Sequence, residues 1–269
     1  RTVPVRAMPV GGLIGRVGHI RAFVALTAIV TVTPLLHAMF VTPAAWWALR
    51  GLNGFCFAGL FMGIESWLTG VPTPATRGRL LAAYTIINLT LVTVGMQFVT
   101  VYPIKSLELF SLVAILYSLA AVPVALTRTA APTPPRKARL HLGWLIAVSP
   151  AAVAGCFFAG VSNSAFWTLT PLYGGTAGLD VGAIATFLSL GVLGGALSQW
   201  PTGTLSDKFG RRALIITVAL AGSAAGLLLW MAGSGGPTMV LPLAALWGAS
   251  AFPIYPLSVA HASDLVHPK

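Results

Sequence analysis

The ionisable side chains of this chain are few, and the chemistry open to them is mainly the pairing of opposite charges. Asp207 sits with Lys208, Arg211 and Arg212 in the string Gly203-Thr204-Leu205-Ser206-Asp207-Lys208-Phe209-Gly210-Arg211-Arg212. Its glycines permit a tight turn. A group of this kind can make or release an ion pair as its surroundings change. Ordinary solvated loop charge is the alternative, because exposed pairs gain only about 0–1 kcal/mol. Glu65 precedes Arg77 and Arg79 across Pro72-Thr73-Pro74, near enough to pair with one of them, as a structural staple or as a gating contact.

Arg50 lies inside an apolar run, with Asn53 and Phe57 at i+3 and i+7 on the same helical face. Placing a charge there costs about 2.5–3.5 kcal/mol on insertion scales. Either Arg50 faces a cavity or partner, or its head snorkels to the outer interface. Asn163 and Trp167 share a face with Cys156 and Gly160. They could meet a small molecule, or Asn163 could bond between helices. Neither H-E-x-x-H nor G-x-S-x-G occurs, and the five acids are scattered over five segments. No nucleotide-binding loop is present, and Cys56 and Cys156 read as lone core thiols. No catalytic set, cofactor or metal site is expected.

The elements that carry these residues are apolar. Hydrophobic residues make up 57% of the chain, charged residues 8%, and the mean hydropathy is +0.87, where soluble domains carry about 25% charge. Several runs reach the roughly 20 residues that cross a bilayer. The net charge of +11 does not point to nucleic acid, because the bases sit between apolar spans and form no stripe. Turn signals at Thr42-Pro43, Pro72-Thr73-Pro74, Tyr102-Pro103, Gly174-Gly175 and Ser234-Gly235-Gly236-Pro237 separate eight predicted helices. These are 21–41, 44–69, 79–101, 106–126, 143–171, 180–200, 212–232 and 237–260.

Loop bases set the orientation. One set of connections holds Arg16 and Arg21, Arg77 and Arg79, Arg128 through Arg139, then Lys208, Arg211, Arg212 and Lys269; the alternate set holds only Lys105. The basic set is predicted to be cytoplasmic. Residues 127–142 are Pro-rich, a semi-rigid spacer that divides the chain into 1–126 and 143–269. The halves look repeated. Gly11, Leu13 and Gly18 fall 192 positions before Gly203, Leu205 and Gly210, and Leu49, Leu52 and Gly54 fall 194 before Leu243, Leu246 and Gly248.

The string from Gly203 to Arg212 resembles the loop signature of the major facilitator superfamily, G-x-L-[AS]-D-[KR]-x-G-R-[KR], at every specified position. Arg50 through Ala58 resembles that family's R-x-x-Q-G-x-x-x-A motif, with Asn53 for the glutamine. Glu65-Ser66-Trp67-Leu68 with Arg77-Gly78-Arg79, and Tyr255 through His261, are similar to the YcaD-like bacterial branch. The resemblance implies an all-α membrane bundle of twelve helices, of which these eight are the third to the tenth. The chain is accordingly expected to be incomplete. It also implies transport of a small solute by alternating access, proton-coupled, in a bacterial inner membrane, by a monomer. Gly203, Asp207, Lys208, Gly210, Arg211 and Arg212 become a gating loop, with Glu65, Arg77 and Arg79 an inner-gate set. Arg50 is implied in proton coupling. The earlier copy departs from the pattern, with Gly15 for the acid and His19-Ile20 for the two bases. Two rival expectations are a membrane-embedded enzyme and an inert truncated product.

Overall fold

The computed structural model describes residues 17–70, 74–103, 106–127, 142–233 and 235–266, with main chain only at 65, 69, 70, 74–79, 81, 82, 142 and 266. Every regular element among them is helical. They are α1 His19–Met39, α2 Pro43–Gly70, α3 Pro74–Val101, α4 Leu107–Ala125 and α5 Leu142–Val148, then α6 Pro150–Thr176, α7 Val181–Phe209, α8 Arg211–Ala232, α9 Pro237–Ala251 and α10 Ile254–Val266.

Local chemistry explains the helix starts. Proline opens α2, α3, α6 and α9, where its missing N–H costs no helical hydrogen bond and its φ is already set. Asp180 caps α7 by accepting the Ala183 N–H at 2.8 Å. Inside the helices, hydroxyls bond back to carbonyls one turn earlier, as Thr27 to Phe23 and Ser189 to Ala185, both at 2.8 Å. This satisfies polar groups that an apolar solvent would leave orphaned.

Among the described residues, eight helical segments are long and apolar enough to cross a membrane, the last running from Pro237 through Leu265. Large apolar side chains cover their outer faces: Trp47, Trp200 and Trp230 are 75–81% exposed, alongside Leu197 and Leu220. A soluble protein could not carry so much; a bilayer solvates it. The count agrees with the eight spans expected from sequence, and two of them carry breaks. Predicted span 143–171 divides at Ser149 between α5 and α6, and span 237–260 divides at Phe252-Pro253 between α9 and α10. Each break falls next to a proline, at Pro150 and Pro253. Proline cannot donate to the preceding turn.

The residues gather into two compact units, Arg1–Thr85 with Tyr102–Leu140, and Ile86–Val101 with His141–Lys269. In the first, α1 packs on α2 and α4 around Leu26, Val30, Cys56 and Leu60. In the second, α7 packs on α9, joined by α6 and α8, around Phe166, Phe187, Leu188, Val240 and Ala244, and α10 packs on α6 and α8. The second unit takes the latter part of α3: Gln97 Nε2 donates to Ser189 Oγ at 3.0 Å, and Met96 packs on the core.

Small residues let α7 and α9 approach closely. A Cβ on Gly248 would overlap the Gly191 carbonyl oxygen, and one on Gly194 would overlap that of Ala245. Gly248→Leu is therefore expected to strain this seam by about 1–3 kcal/mol. The melting temperature in detergent should fall by about 2–4 °C per kcal/mol. Gly160→Leu, where a Cβ meets nothing within 4 Å, is the control and should melt like the parent.

Candidate functional site

The charged string is less a loop than a helix junction. It forms the last turns of α7, one glycine, and the first turn of α8. Gly210 has φ +87°, a conformation that disfavours other residues. Its N–H closes α7 on the Ser206 carbonyl at 3.1 Å, and its carbonyl opens α8 to the Leu214 N–H at 3.2 Å. Ser206 is buried, its Oγ donating to the Gly203 carbonyl at 2.7 Å.

Three of the four charges stand where the local helices do not favour them, Lys208 in the last turn of α7 being the exception. Asp207 lies near the negative end of the α7 dipole, and Arg211 and Arg212 at the positive end of α8. Compensation comes from another helix. Arg211 Nε meets Asp264 Oδ2 of α10 at 2.5 Å, while its Nη2 lies 4.0 Å from Asp207 Oδ1. Charge-assisted bonds strengthen at short distance, so Arg211–Asp264 is the principal pair and Asp207 a weakly held second acceptor. The side chain of Asp207 is 75% exposed, that of Arg211 only 29%. Lys208 and Arg212 are exposed and make no ion pair among the described residues. Beside the junction lies a cleft of about 320 Å³ lined by Gln199, Thr202, Ser206, Asp207, Arg211 and Pro256.

The first unit repeats the geometry with different chemistry. Gly18 stands where Gly210 does in the repeat and has φ +86°. The next residue is His19 in place of Arg211, and its Nε2 lies 3.3 Å from Ser66 Oγ of α2. Each glycine thus turns the chain into a helix whose first residue is tied to a later helix of the same unit.

The remaining candidates separate. Arg50 is exposed on α2 and forms no ion pair among the described residues. Asn53 Oδ1 accepts from Thr33 Oγ1 of α1 at 3.1 Å. Phe57 packs against the Leu26–Leu60 cluster, edge-on to Tyr117 with ring centroids 5.9 Å apart. Asn163 and Trp167 meet each other: the indole N–H donates to Asn163 Oδ1 at 3.1 Å, with Asn163 exposed. Glu65 lies on α2, and Arg77 and Arg79 on α3, but their side chains lie outside the described residues. Asp264 is a site residue that the sequence does not single out. The one signal for it is that no other acid lies in the final helix.

What the geometry of this junction offers is an ion pair that can be held or released. The fold and site therefore define a multi-pass helical membrane protein with a charge-bearing hinge between spans. Comparison with known proteins agrees. The family model of the Major Facilitator Superfamily matches residues 5–269. The MFS-type transporter YcaD of Escherichia fergusonii, itself uncharacterised, is 27% identical over 261 residues, 95% of this chain and 66% of its own length. A similarly uncharacterised MFS-type transporter of Enterobacter sp. (strain 638), Ent638_1421, is 26% identical over 258 residues, and YcaD of Salmonella newport 26% over 261. Both matches take in 95% of this chain and 66% of the relative, so the chain spans a little under two thirds of the length of the relatives it matches. The chain belongs to the major facilitator superfamily, a family of membrane transporters.

Proposed function

We propose that this protein moves a small solute across a bacterial inner membrane by alternating access, using a proton gradient. The observation that carries this reading is the α7–α8 junction, where Arg211 reaches across to Asp264 and leaves Asp207 nearly free. Charges placed against their own helix dipoles do not serve local stability. They suit a contact that is made in one conformational state and released in another.

The expected halves, residues 1–126 and 143–269 joined by 127–142, act as repeats of one another. The basic ends of the spans face the cytoplasm, so the junction is an inner gate, with Glu65, Arg77 and Arg79 as its counterpart in the first half. Arg50 and Asn53 in their unit, and Asn163 and Trp167 in theirs, are the side chains that meet solute; Phe57 backs the first pair from the packed core, and Arg50 takes part in coupling. The protein works as a monomer in the bilayer and needs no resident cofactor.

Full-length protein in proteoliposomes carrying an internal pH-sensitive dye tests the reading. With an imposed pH gradient, a panel of small organic acids, bases and sugars should include at least one solute that provokes proton movement. Its initial rate should saturate with solute concentration. Proton movement identical to that of protein-free vesicles for every solute would refute the coupling.

A further inference from the structure

The exposed surface of α6 has two sides of different chemistry. With about 3.6 residues per turn, Phe158, Val161, Leu169 and Leu172 fall on one side, each more than half exposed. That side suits lipid. Phe157, Gly160, Asn163, Ser164 and Trp167 fall on the other, where Asn163 and Ser164 are exposed and Trp167 is half-buried. Asn163 stands midway along this helix of 27 residues, where a hydrocarbon neighbour would leave its amide unsatisfied. The second side is therefore built to meet something polar.

The orientation of the amide narrows what that is. An indole nitrogen donates and does not accept, so the Asn163 atom 3.1 Å from Trp167 Nε1 is the carbonyl oxygen. The amide NH2 group is left free to donate. Trp167 has spent its one polar hydrogen on Asn163 and is held edge-on by Phe166, ring centroids 5.4 Å apart; what it still offers is a flat apolar ring. In the first unit Arg50, also read as meeting solute, carries donors and no acceptor. The described carboxylates stand at helix ends: Glu108 in the first turn of α4, Asp180 capping α7, Asp207 in the last turn of α7 and Asp264 in the last turn of α10. Among the described residues, a cationic solute in mid-span would find no counter-charge. Donors without acids select acceptor oxygens, and a carboxylate takes N–H bonds at both of its own. We propose that the solute is a small aromatic carboxylate, its oxygens accepting from the Asn163 amide and its ring lying against Trp167. The assignment rests on the transport reading and names the class of molecule carried.

The probe is radiolabelled phenylacetate, compared at neutral pH with phenylacetamide, its uncharged isostere, and with the cation 2-phenylethylammonium. Full-length protein in nanodiscs is dialysed to equilibrium against each, with empty nanodiscs correcting for partition into lipid. The expected result is saturable binding of phenylacetate, about tenfold weaker binding of the amide and no saturable binding of the cation. Cyclohexylacetate, of equal charge but without the aromatic face, should bind about two- to tenfold more weakly than phenylacetate. Asn163→Asp keeps an oxygen to accept the Trp167 N–H and exchanges only the outward NH2 group for a negative oxygen. That variant should lose phenylacetate by about tenfold or more and gain saturable binding of the cation. Dialysis uses no gradient, so its outcome is separate from the proton-movement test: phenylacetate bound without proton movement would refute coupling and support this class of solute. Phenylacetate binding no greater than in empty discs, equal binding of carboxylate and amide, or an unchanged preference in Asn163→Asp would overturn the proposal, even if another solute drives proton movement.

Discussion

Arg50→Ala is expected to abolish proton-driven transport in the full-length protein, while Arg50→Lys keeps a measurable fraction. The reason is the cost of the charge. An arginine inside a span costs about 2.5–3.5 kcal/mol on insertion scales, yet Arg50 is exposed and has no acidic partner among the described residues. Three targets would account for such a charge: a protonatable group, an anionic solute, or the interface. In the first two cases its field holds a proton or solute in place. Lysine keeps the charge but loses the planar fork of donors, so part of the effect survives; alanine loses both. Both variants should insert normally, since alanine removes an intramembrane charge and lysine retains one. An interfacial role predicts something different. A snorkelling Arg50 only anchors α2 at the interface, and Arg50→Ala would then transport almost like the parent. Initial rates in vesicles under an imposed pH gradient distinguish the two.

The second large effect is expected at the α7–α8 junction. Asp264→Arg should reduce transport several-fold at normal protein abundance, because it places a like charge against Arg211 where the parent has a pair at 2.5 Å. Restoring the opposite sign with Arg211→Asp in the same chain should recover part of the activity. Fold stability should change much less, because partly exposed pairs contribute only about 0–1 kcal/mol. A conformational equilibrium is more sensitive: about 1.4 kcal/mol between two states changes their ratio tenfold. Loss of transport together with loss of protein from the membrane would make the pair a structural fastening.

The spans and the hinge are legible in the amino-acid sequence. Apolar runs of bilayer length, interrupted by proline and glycine pairs, mark eight crossings, and the turn at Gly210 follows from a charged string bounded by glycines. Gly18 and Gly210, paired in the expected repeat, have nearly the same φ, and Gly236 ahead of α9 is close to both. What the sequence does not convey depends on contacts between distant residues. Helical periodicity places Arg50, Asn53 and Phe57 on one face, but not that this face passes from an exposed surface at Arg50 to the packed core at Phe57. Nor does it pair Arg211 with Asp264, 53 positions later, or draw the latter part of α3 to the second unit through Gln97 and Ser189. The string around Asp207 reads as loop because glycine, threonine, serine and aspartate are weak helix formers; the structure continues α7 through it to Phe209. His19 reads in sequence as a lost signature position, and only the structure shows it buried against Ser66 of α2.

Alternating access biased by the charged junction can be tested by cysteine labelling without knowledge of the solute. Asn163 is exposed on α6, so Asn163→Cys offers a thiol in the proposed solute path. Cys56 and Cys156, both free thiols, are replaced by alanine in the same full-length chain. A membrane-impermeant maleimide is then applied to right-side-out and to inside-out vesicles. Alternating access predicts labelling from both sides, with Asp207→Ala raising the rate from the cytoplasmic side several-fold and lowering the rate from the opposite side. Labelling from one side only, at a rate that Asp207→Ala leaves unchanged, would contradict it.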